Sequence, residues 1–315
     1  MLAIKAKKSS TLANCIDLVT KKMQKAKIYF GHGTNNAMDE AVCLIFYVLK
    51  IEYENFTDDL LQKIVPAQKI LEINALLKKR IEEKIPLPYL TSTAYFAGLK
   101  FYVDKRVIIP RSPFAEFIQN RFAPWIAEDL VCDILDLCTG SACMAIACAK
   151  EFVTAHVTAV DISEDALNVA KINVQKHHVA TQVTLLHGDL FAPVKNKKYD
   201  VIISNPPYVS KEEMQTIPSE YIHEPNISLE AADCGLALVL QILHQAKNYL
   251  RPHGILVVEV GNAKEELQKR FKKAPFIWLE FERGGGGVFL LTYKDLVIVH
   301  GYILMNRKFV RMRQF

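Results

Sequence analysis

Ser204-Asn205-Pro206-Pro207-Tyr208 follows the apolar run Tyr199-Asp200-Val201-Ile202-Ile203. That run has the length and β-branching of a buried strand. Consecutive prolines fix φ, donate no backbone hydrogen bond and push the residue before them out of helical geometry, so the chain leaves the strand in an extended turn. Such a turn projects the Asn205 side chain and the Pro206 carbonyl beyond the carboxyl end of a strand, where open α/β sheets bind ligands.

The flanking sequence supplies the sheet. Ile134-Leu135-Asp136-Leu137 is a second buried strand, and Cys138-Thr139-Gly140-Ser141-Ala142-Cys143 turns into an apolar helix from Met144 to Lys150. A turn of small residues lets a ligand approach the backbone and the helix N-terminus. Val157 to Val160 is a strand ending in Asp161, with a helix from Ser163 to Gln175 after it. An acid in that position suits ribose hydroxyls. Val183 to Leu186 is a further strand, followed by Gly188-Asp189-Leu190-Phe191. Downstream, a helix from Gly235 to Leu250 is closed by Pro252 and Gly254, and Ile255 to Val260 is the fifth strand. Phe276 to Phe281 and Val288 to Leu291 are two last strands around Gly284-Gly285-Gly286-Gly287. Alternating strands and helices predict an α/β fold with a mostly parallel sheet covered on both faces.

The N-terminal part reads differently. Thr11 caps a helix with Leu12, Cys15, Ile16, Val19 and Met23 on one side, and Asn36 caps a second with Asp39 and Glu40 in its first turn. A third helix starts near Pro66 and carries Ile70, Ile73, Leu77 and Ile81. We therefore expect a helical domain over residues 1–85, a linker over 86–112 containing a hairpin from Tyr95 to Val103, and a catalytic domain over 113–293. Residues 294–315 are expected to add a strand or to form a flexible tail, with no role read for them.

The chain has 315 residues, 50% hydrophobic and 23% charged, a globular balance with material for two domains. No signal peptide and no membrane-spanning run is read, since the apolar stretch from Leu296 to Met305 is short and broken by His300 and Gly301. The 7 cysteines and 9 histidines show no metal-ligand spacing, so the cysteines are expected to be small buried residues in a reducing, cytoplasmic setting and no metal is expected. Residues 1–30 carry seven lysines against Asp17, residues 294–315 five basic residues against Asp295, and the middle is acidic. Basic ends on an acidic body suit a basic protein substrate better than bare duplex DNA.

Asp136-Leu137-Cys138-Thr139-Gly140-Ser141, then Asp161, then Asn205-Pro206-Pro207-Tyr208 resembles a class I S-adenosylmethionine-dependent methyltransferase. With the helical domain and the hairpin, the chain is similar over residues 10–293 to the glutamine amide methyltransferases of the HemK/Prm family. Gly31-His32-Gly33-Thr34-Asn35-Asn36, Pro110-Arg111-Ser112-Pro113, Cys138 and Tyr221-x-His223-Glu224-Pro225 resemble its PrmB branch, which acts on large-subunit ribosomal protein L-three.

The resemblance implies a Rossmann-like, seven-stranded catalytic domain using S-adenosyl-L-methionine and no metal. It implies that Asp136, Cys138, Thr139, Gly140, Ser141 and Ala142 line the methionine end of the cofactor, that Asp161 binds the ribose and that Asp189 and Leu190 flank the adenine. Asn205, Pro206, Pro207 and Tyr208 would hold the glutamine amide, with Asn205 also bordering the cofactor. An amide nitrogen is a weak nucleophile, and two acceptors gripping its N–H bonds can aim the lone pair at a methyl group. Ala142 departs from the family, which has a glycine there. The partners implied are ribosomal protein L-three, free or on an assembling large subunit, with contact to ribosomal RNA, and no membrane. Release-factor glutamine, adenine N6 in nucleic acid, and a non-catalytic assembly role stand as alternatives.

Overall fold

The computed structural model describes residues 10–305, which divide into two compact units. The first comprises the chain up to Ala94 together with Val103–Lys105 and Pro218–His223. Its helices are α1 (Leu12–Lys25), α2 (Ala37–Leu49), α3 (Ala67–Glu82) and the short α4 (Leu87–Thr91). Thr11 Oγ1 accepts from Asn14 N and Asn36 Oδ1 from Asp39 N, so both expected caps form. Leu12, Val19, Leu44, Ile45, Ile73 and Leu77 close the core between the helices.

At one end of that core Arg80 is fully enclosed. Its Nε donates to Glu40 Oε1 at 2.5 Å, Nη2 to the Tyr29 carbonyl at 2.6 Å and Nη1 to Glu220 Oε1 at 3.3 Å. Glu220 also accepts from Tyr29 N at 2.9 Å. Burial works against the Glu220 carboxylate, but the hydrogen bonds from the Tyr29 and its own backbone and from Arg80 hold it below its ordinary range. Residues 218–223 thus belong to the helical unit although they lie far along the chain.

The second unit holds the hairpin β1 (Ala94–Phe96) and β2 (Leu99–Phe101), helix α5 (Phe114–Gln119) and a sheet wound from β3 to β9. These are β3 (Asp133–Leu137), α6 (Cys143–Glu151), β4 (His156–Asp161), α7 (Glu164–Lys176), β5 (Val183–His187) and β6 (Tyr199–Ser204). Then come α8 (Lys211–Met214), α9 (Ala237–Gln245), β7 (Leu250–Glu259), α10 (Lys264–Arg270), β8 (Ile277–Trp278), β9 (Val288–Thr292) and α11 (Tyr293–Met305). The 7-stranded sheet has the order β5-β4-β3-β6-β7-β9-β8, with β9 antiparallel to both neighbours.

Side chains alternate between the two faces of this sheet. Ile134, Val157, Val201, Ile203 and Val257 pack against α5, α6 and α7, whereas Leu135, Val160, Ile202, Leu256 and Val258 pack against α9 and α11. The winding runs outward from β3 through β4 to β5, then returns to place β6 on the other side of β3. That reversal opens a crevice at the carboxyl ends of β3 and β6.

Two segments differ from expectation. β7 begins at Leu250, where a helix was expected to continue, because α9 ends at Gln245 and Tyr199 N reaches the Tyr249 carbonyl. The pairing shifts between Tyr199 and Val201, which accommodates Pro252 and Gly254 in the strand. The second correction is the end of the chain: residues 293–305 form helix α11, neither an added strand nor a tail. Thr292 and Asp295 exchange hydrogen bonds between side chain and backbone in both directions, a capping arrangement that starts the helix. Leu296, Val299 and Ile303 then fall on one face and are buried. Residues 306–315 lie outside the described residues. Among the described residues no helix is long and apolar enough to cross a membrane. All 7 cysteines are free, and Cys132 and Cys234 are exposed rather than buried.

Asp200 ties together the amino ends of three strands. It accepts from Cys132 N, Asp133 N, Arg251 Nη1 and His253 Nε2 at 2.9, 2.8, 2.5 and 2.7 Å. Burial pushes its carboxyl up, but the hydrogen bonds from Arg251, the two backbone groups and His253 outweigh this and leave it below its ordinary value. A depressed carboxyl stabilises the fold above its unfolded pKa, and the contribution is lost as pH falls through the folded value. Asp200→Asn is expected to lower stability by about 2–4 kcal/mol at neutral pH and to flatten the acid limb of the stability curve. Urea denaturation at a series of pH values measures both.

Candidate active site

Parallel register sets one row of residues across the carboxyl edge. Leu137 pairs with Val160 on one side and with Ser204 on the other, and Ser204 pairs with Val258. One residue further along, β4 and β7 close on Asp161 and Glu259, and Cys138 and Asn205 are the first residues past the ends of β3 and β6. Ser204 Oγ donates to the Leu137 carbonyl at 2.9 Å and locks the central pair where both strands stop.

The loop after β3 is built for close backbone approach. Cys138, Gly140 and Ala142 have φ of 59°, 55° and 61°, in the left-handed region. Thr139 N donates to the Val160 carbonyl at 3.0 Å, and Gly140 N to Asp161 Oδ2 at 2.8 Å. Asp161 Oδ1 accepts from Ser163 N at 2.9 Å, so each oxygen holds one backbone donor. Burial raises the Asp161 carboxyl despite these bonds. Asp136 is fully buried: Oδ2 accepts from Thr139 Oγ1 at 2.5 Å and Ala145 N at 3.2 Å, while Oδ1 has no partner. Burial pushes its carboxyl up to about 7. Burial likewise pushes the Cys138 thiol up, and that of Cys143 to about 12, so both stay protonated and neither is a thiolate nucleophile. Asn173, buried on α7, donates to the Ser141 carbonyl at 3.0 Å and bonds both backbone groups of Tyr102, which fixes the loop from behind. Asp189 lies exposed after β5, and Leu190 is buried beside it with φ 45°.

On the other side of Cys138 the turn after β6 presents Asn205 half-buried and Pro206 and Pro207 buried. Among the described residues, neither the Asn205 amide nor the Pro206 carbonyl is engaged in a hydrogen bond. Tyr208 donates its hydroxyl to Glu259 Oε1 at 2.8 Å. Its ring lies over Gly261, where an added Cβ would overlap Cε2. Behind the turn, Arg111 makes a two-pronged bond to Glu224, at 2.6 and 2.9 Å, and Glu224 also accepts from Ile109 N at 2.9 Å. The Pro-Arg-Ser-Pro and His-Glu-Pro segments are thus joined to one another.

Sequence reasoning placed Asp161, Cys138 and Asn205 at the site but passed over Glu259. The same signal was present, an acid closing an apolar strand, in Ile255-Leu256-Val257-Val258-Glu259. It quoted Ser112 and Glu224 only within the Pro-Arg-Ser-Pro and His-Glu-Pro motifs, without a role of their own, and passed over Gly261; the partners of all three are distant in sequence.

The methyltransferase small domain family matches residues 122–232. A ribosomal protein uL3 glutamine methyltransferase of Francisella tularensis is 43% identical over 91% of this chain and 91% of its own. One of the same description from Neisseria meningitidis is 41% identical over 93% of this chain and 96% of its own. The chain belongs to this glutamine methyltransferase family. A methyltransferase structure from Pyrococcus furiosus matches with 21% identity over 61% of this chain and 87% of its own, at a TM-score of 0.44.

The family's cofactor, S-adenosylmethionine, fits the residues present. The methionyl end carries an ammonium group, and the unpartnered Asp136 Oδ1 is a buried acceptor of matching charge. The Asp161 oxygens, each with a single backbone donor, keep lone pairs for two ribose hydroxyls. Small residues at 138–142 leave room for the backbone approach.

A cation beside Oδ1 favours the ionised form of Asp136, so cofactor binding should release a proton and strengthen between about pH 6 and pH 7.5. Titration calorimetry in buffers of different ionisation enthalpy should show the release, and Asp136→Asn should abolish it. Ala142 is fully buried in the left-handed region, a conformation that disfavours a Cβ. Ala142→Gly is expected to raise stability by up to about 1 kcal/mol without weakening cofactor binding, as read by thermal melts and calorimetry.

Proposed function

We propose that this chain transfers a methyl group from S-adenosylmethionine to the side-chain amide nitrogen of a glutamine in ribosomal protein uL3. The observation that carries the reading is the pair of unengaged acceptors, the Asn205 side-chain oxygen and the Pro206 carbonyl, in the turn directly after β6, whose end at Ser204 pairs with the end of β3 from which the 138–142 loop starts. Two acceptors match the two N–H bonds of a primary amide. Held by both, the nitrogen turns its lone pair away from its own carbonyl and toward the methyl group.

The cofactor supplies a methyl carbon made electrophilic by a sulfonium. Transfer would form the C–N bond to the amide nitrogen held by Asn205 and Pro206 as the C–S bond breaks, leaving the electron pair on sulfur and the amide proton to water. Tyr208 covers the flat amide and limits its motion. The rigid turn at Pro206 and Pro207 keeps the acceptors fixed when they bind, so little reorganisation is left for the transition state.

Choice of one glutamine among many falls to surface away from the reacting nitrogen. We assign it to the helical unit, whose α1 exposes Lys21 and Lys25. Cations there suit an acidic protein surface or ribosomal RNA on an assembling large subunit.

Incubation of uL3 with enzyme and cofactor should add one methyl group to a single glutamine, read by intact mass and fragment mapping. Asn205→Ala should reduce kcat about 100- to 1,000-fold with little change in cofactor affinity. Turnover near the wild-type rate would show that Asn205 does not hold the amide.

A further inference from the structure

β7 delivers an acid to the row of strand ends that the methyl transfer itself does not use. Glu259 is 5% exposed. Its two oxygens accept from two hydroxyls, Tyr208 on Oε1 at 2.8 Å and Ser112 on Oε2 at 2.5 Å. Ser112 Oγ in turn accepts from Phe114 N at 3.2 Å, at the start of α5. A hydroxyl has one proton to give, so Ser112 is committed to Glu259 and Tyr208 is committed to it from the other side.

The glycines around Tyr208 close the remaining freedom. A Cβ on Gly235 would collide with the Tyr208 carbonyl, and one on Gly261 would strike the ring. Gly287 packs against Gly261 in the same manner, with an added Cβ overlapping the Gly261 carbonyl. The ring is therefore backed on one side by the Gly261 backbone and tethered at its tip. A carboxyl buried this deeply is expensive, and an apolar side chain would serve β7 equally well if strand packing were all that mattered. Burial pushes the Glu259 carboxyl up, and the two hydroxyls and nearby Arg111 pull it back.

We propose that Glu259, braced by Ser112, is a positioning residue that fixes the plane of the Tyr208 ring against the amide held by Asn205. Glu259 touches neither substrate nor cofactor in this role; it acts through the Tyr208 hydroxyl. The assignment rests on the glutamine reading of the site, and it adds residues from two distant segments to the group that determines turnover.

The test is a double-mutant cycle on full-length enzyme with uL3 as substrate. Glu259→Leu removes both acceptors and keeps the site filled, and Tyr208→Phe removes the hydroxyl alone. Each is expected to lower kcat about 10- to 100-fold with KM and cofactor affinity within about twofold of wild type. The double variant should lose no more than Glu259→Leu does, because both act on one hydrogen bond. Glu259→Gln, which keeps an acceptor for the hydroxyl, should recover most of the rate. If Glu259→Leu proves poorly folded by circular dichroism, Ser112→Ala replaces it in the cycle with the same expected non-additivity. Losses that multiply in the double variant, or kcat unchanged in Glu259→Leu, would overturn the proposal. Wild-type enzyme that leaves every glutamine unmodified would instead refute the function on which it rests.

Discussion

Parallel pairing of β3 with β6 is the constraint on which the site depends. Leu137 opposite Ser204 places the cofactor loop and the proline turn at neighbouring positions, and the Ser204 hydroxyl fixes that termination. A slip by one residue would turn every side chain of β6 to the opposite face, exchanging Ile203 for Ile202 between two different cores. The geometry of the candidate site is thus protected by core packing: the register that buries these isoleucines correctly also ends β3 at Leu137 opposite the end of β6 at Ser204.

Backbone conformation carries much of the rest. Cys138 and Ala142 are held in left-handed geometry without being glycine, a strain of roughly 1 kcal/mol or more each. The surroundings hold them there: Thr139 N on the Val160 carbonyl, Gly140 N on Asp161 and Asn173 on the Ser141 carbonyl. Around Tyr208 the same end is reached differently, by Gly235 against the Tyr208 carbonyl and Gly261 against its ring, with Gly287 close on the Gly261 backbone.

Local pattern made much of this legible. Apolar runs marked the strands, Thr11 and Asn36 marked helix starts, and two prolines after Ser204 identified the turn. The acid ending β4 was readable because it lay within a familiar order of segments, whereas the acid ending β7 lay outside that order. Glu224 was read only as part of a motif, since its bond to Arg111 spans more than a hundred residues. The apolar stretch after Thr292 is ambiguous by periodicity alone. What decides it is that Leu296, Val299 and Ile303 find a sheet face and α9 to cover. The early start of β7 was hidden by Pro252 and Gly254, which argue against a strand until the shifted pairing is seen.

The enclosed arginine of the helical unit bears on how the protein is made. Arg80 and Glu40 leave the ribosome well before Glu220, which is 140 residues later than Arg80. Until then the guanidinium has only part of its set of acceptors, and Tyr29 N lacks the carboxylate that receives it. The helices can form early, but their polar core is completed only after the strands β3 to β6 have been synthesised. The nascent helical unit therefore waits on a segment encoded within the sheet unit, and its maturation during translation is timed by the appearance of the loop that follows the proline turn.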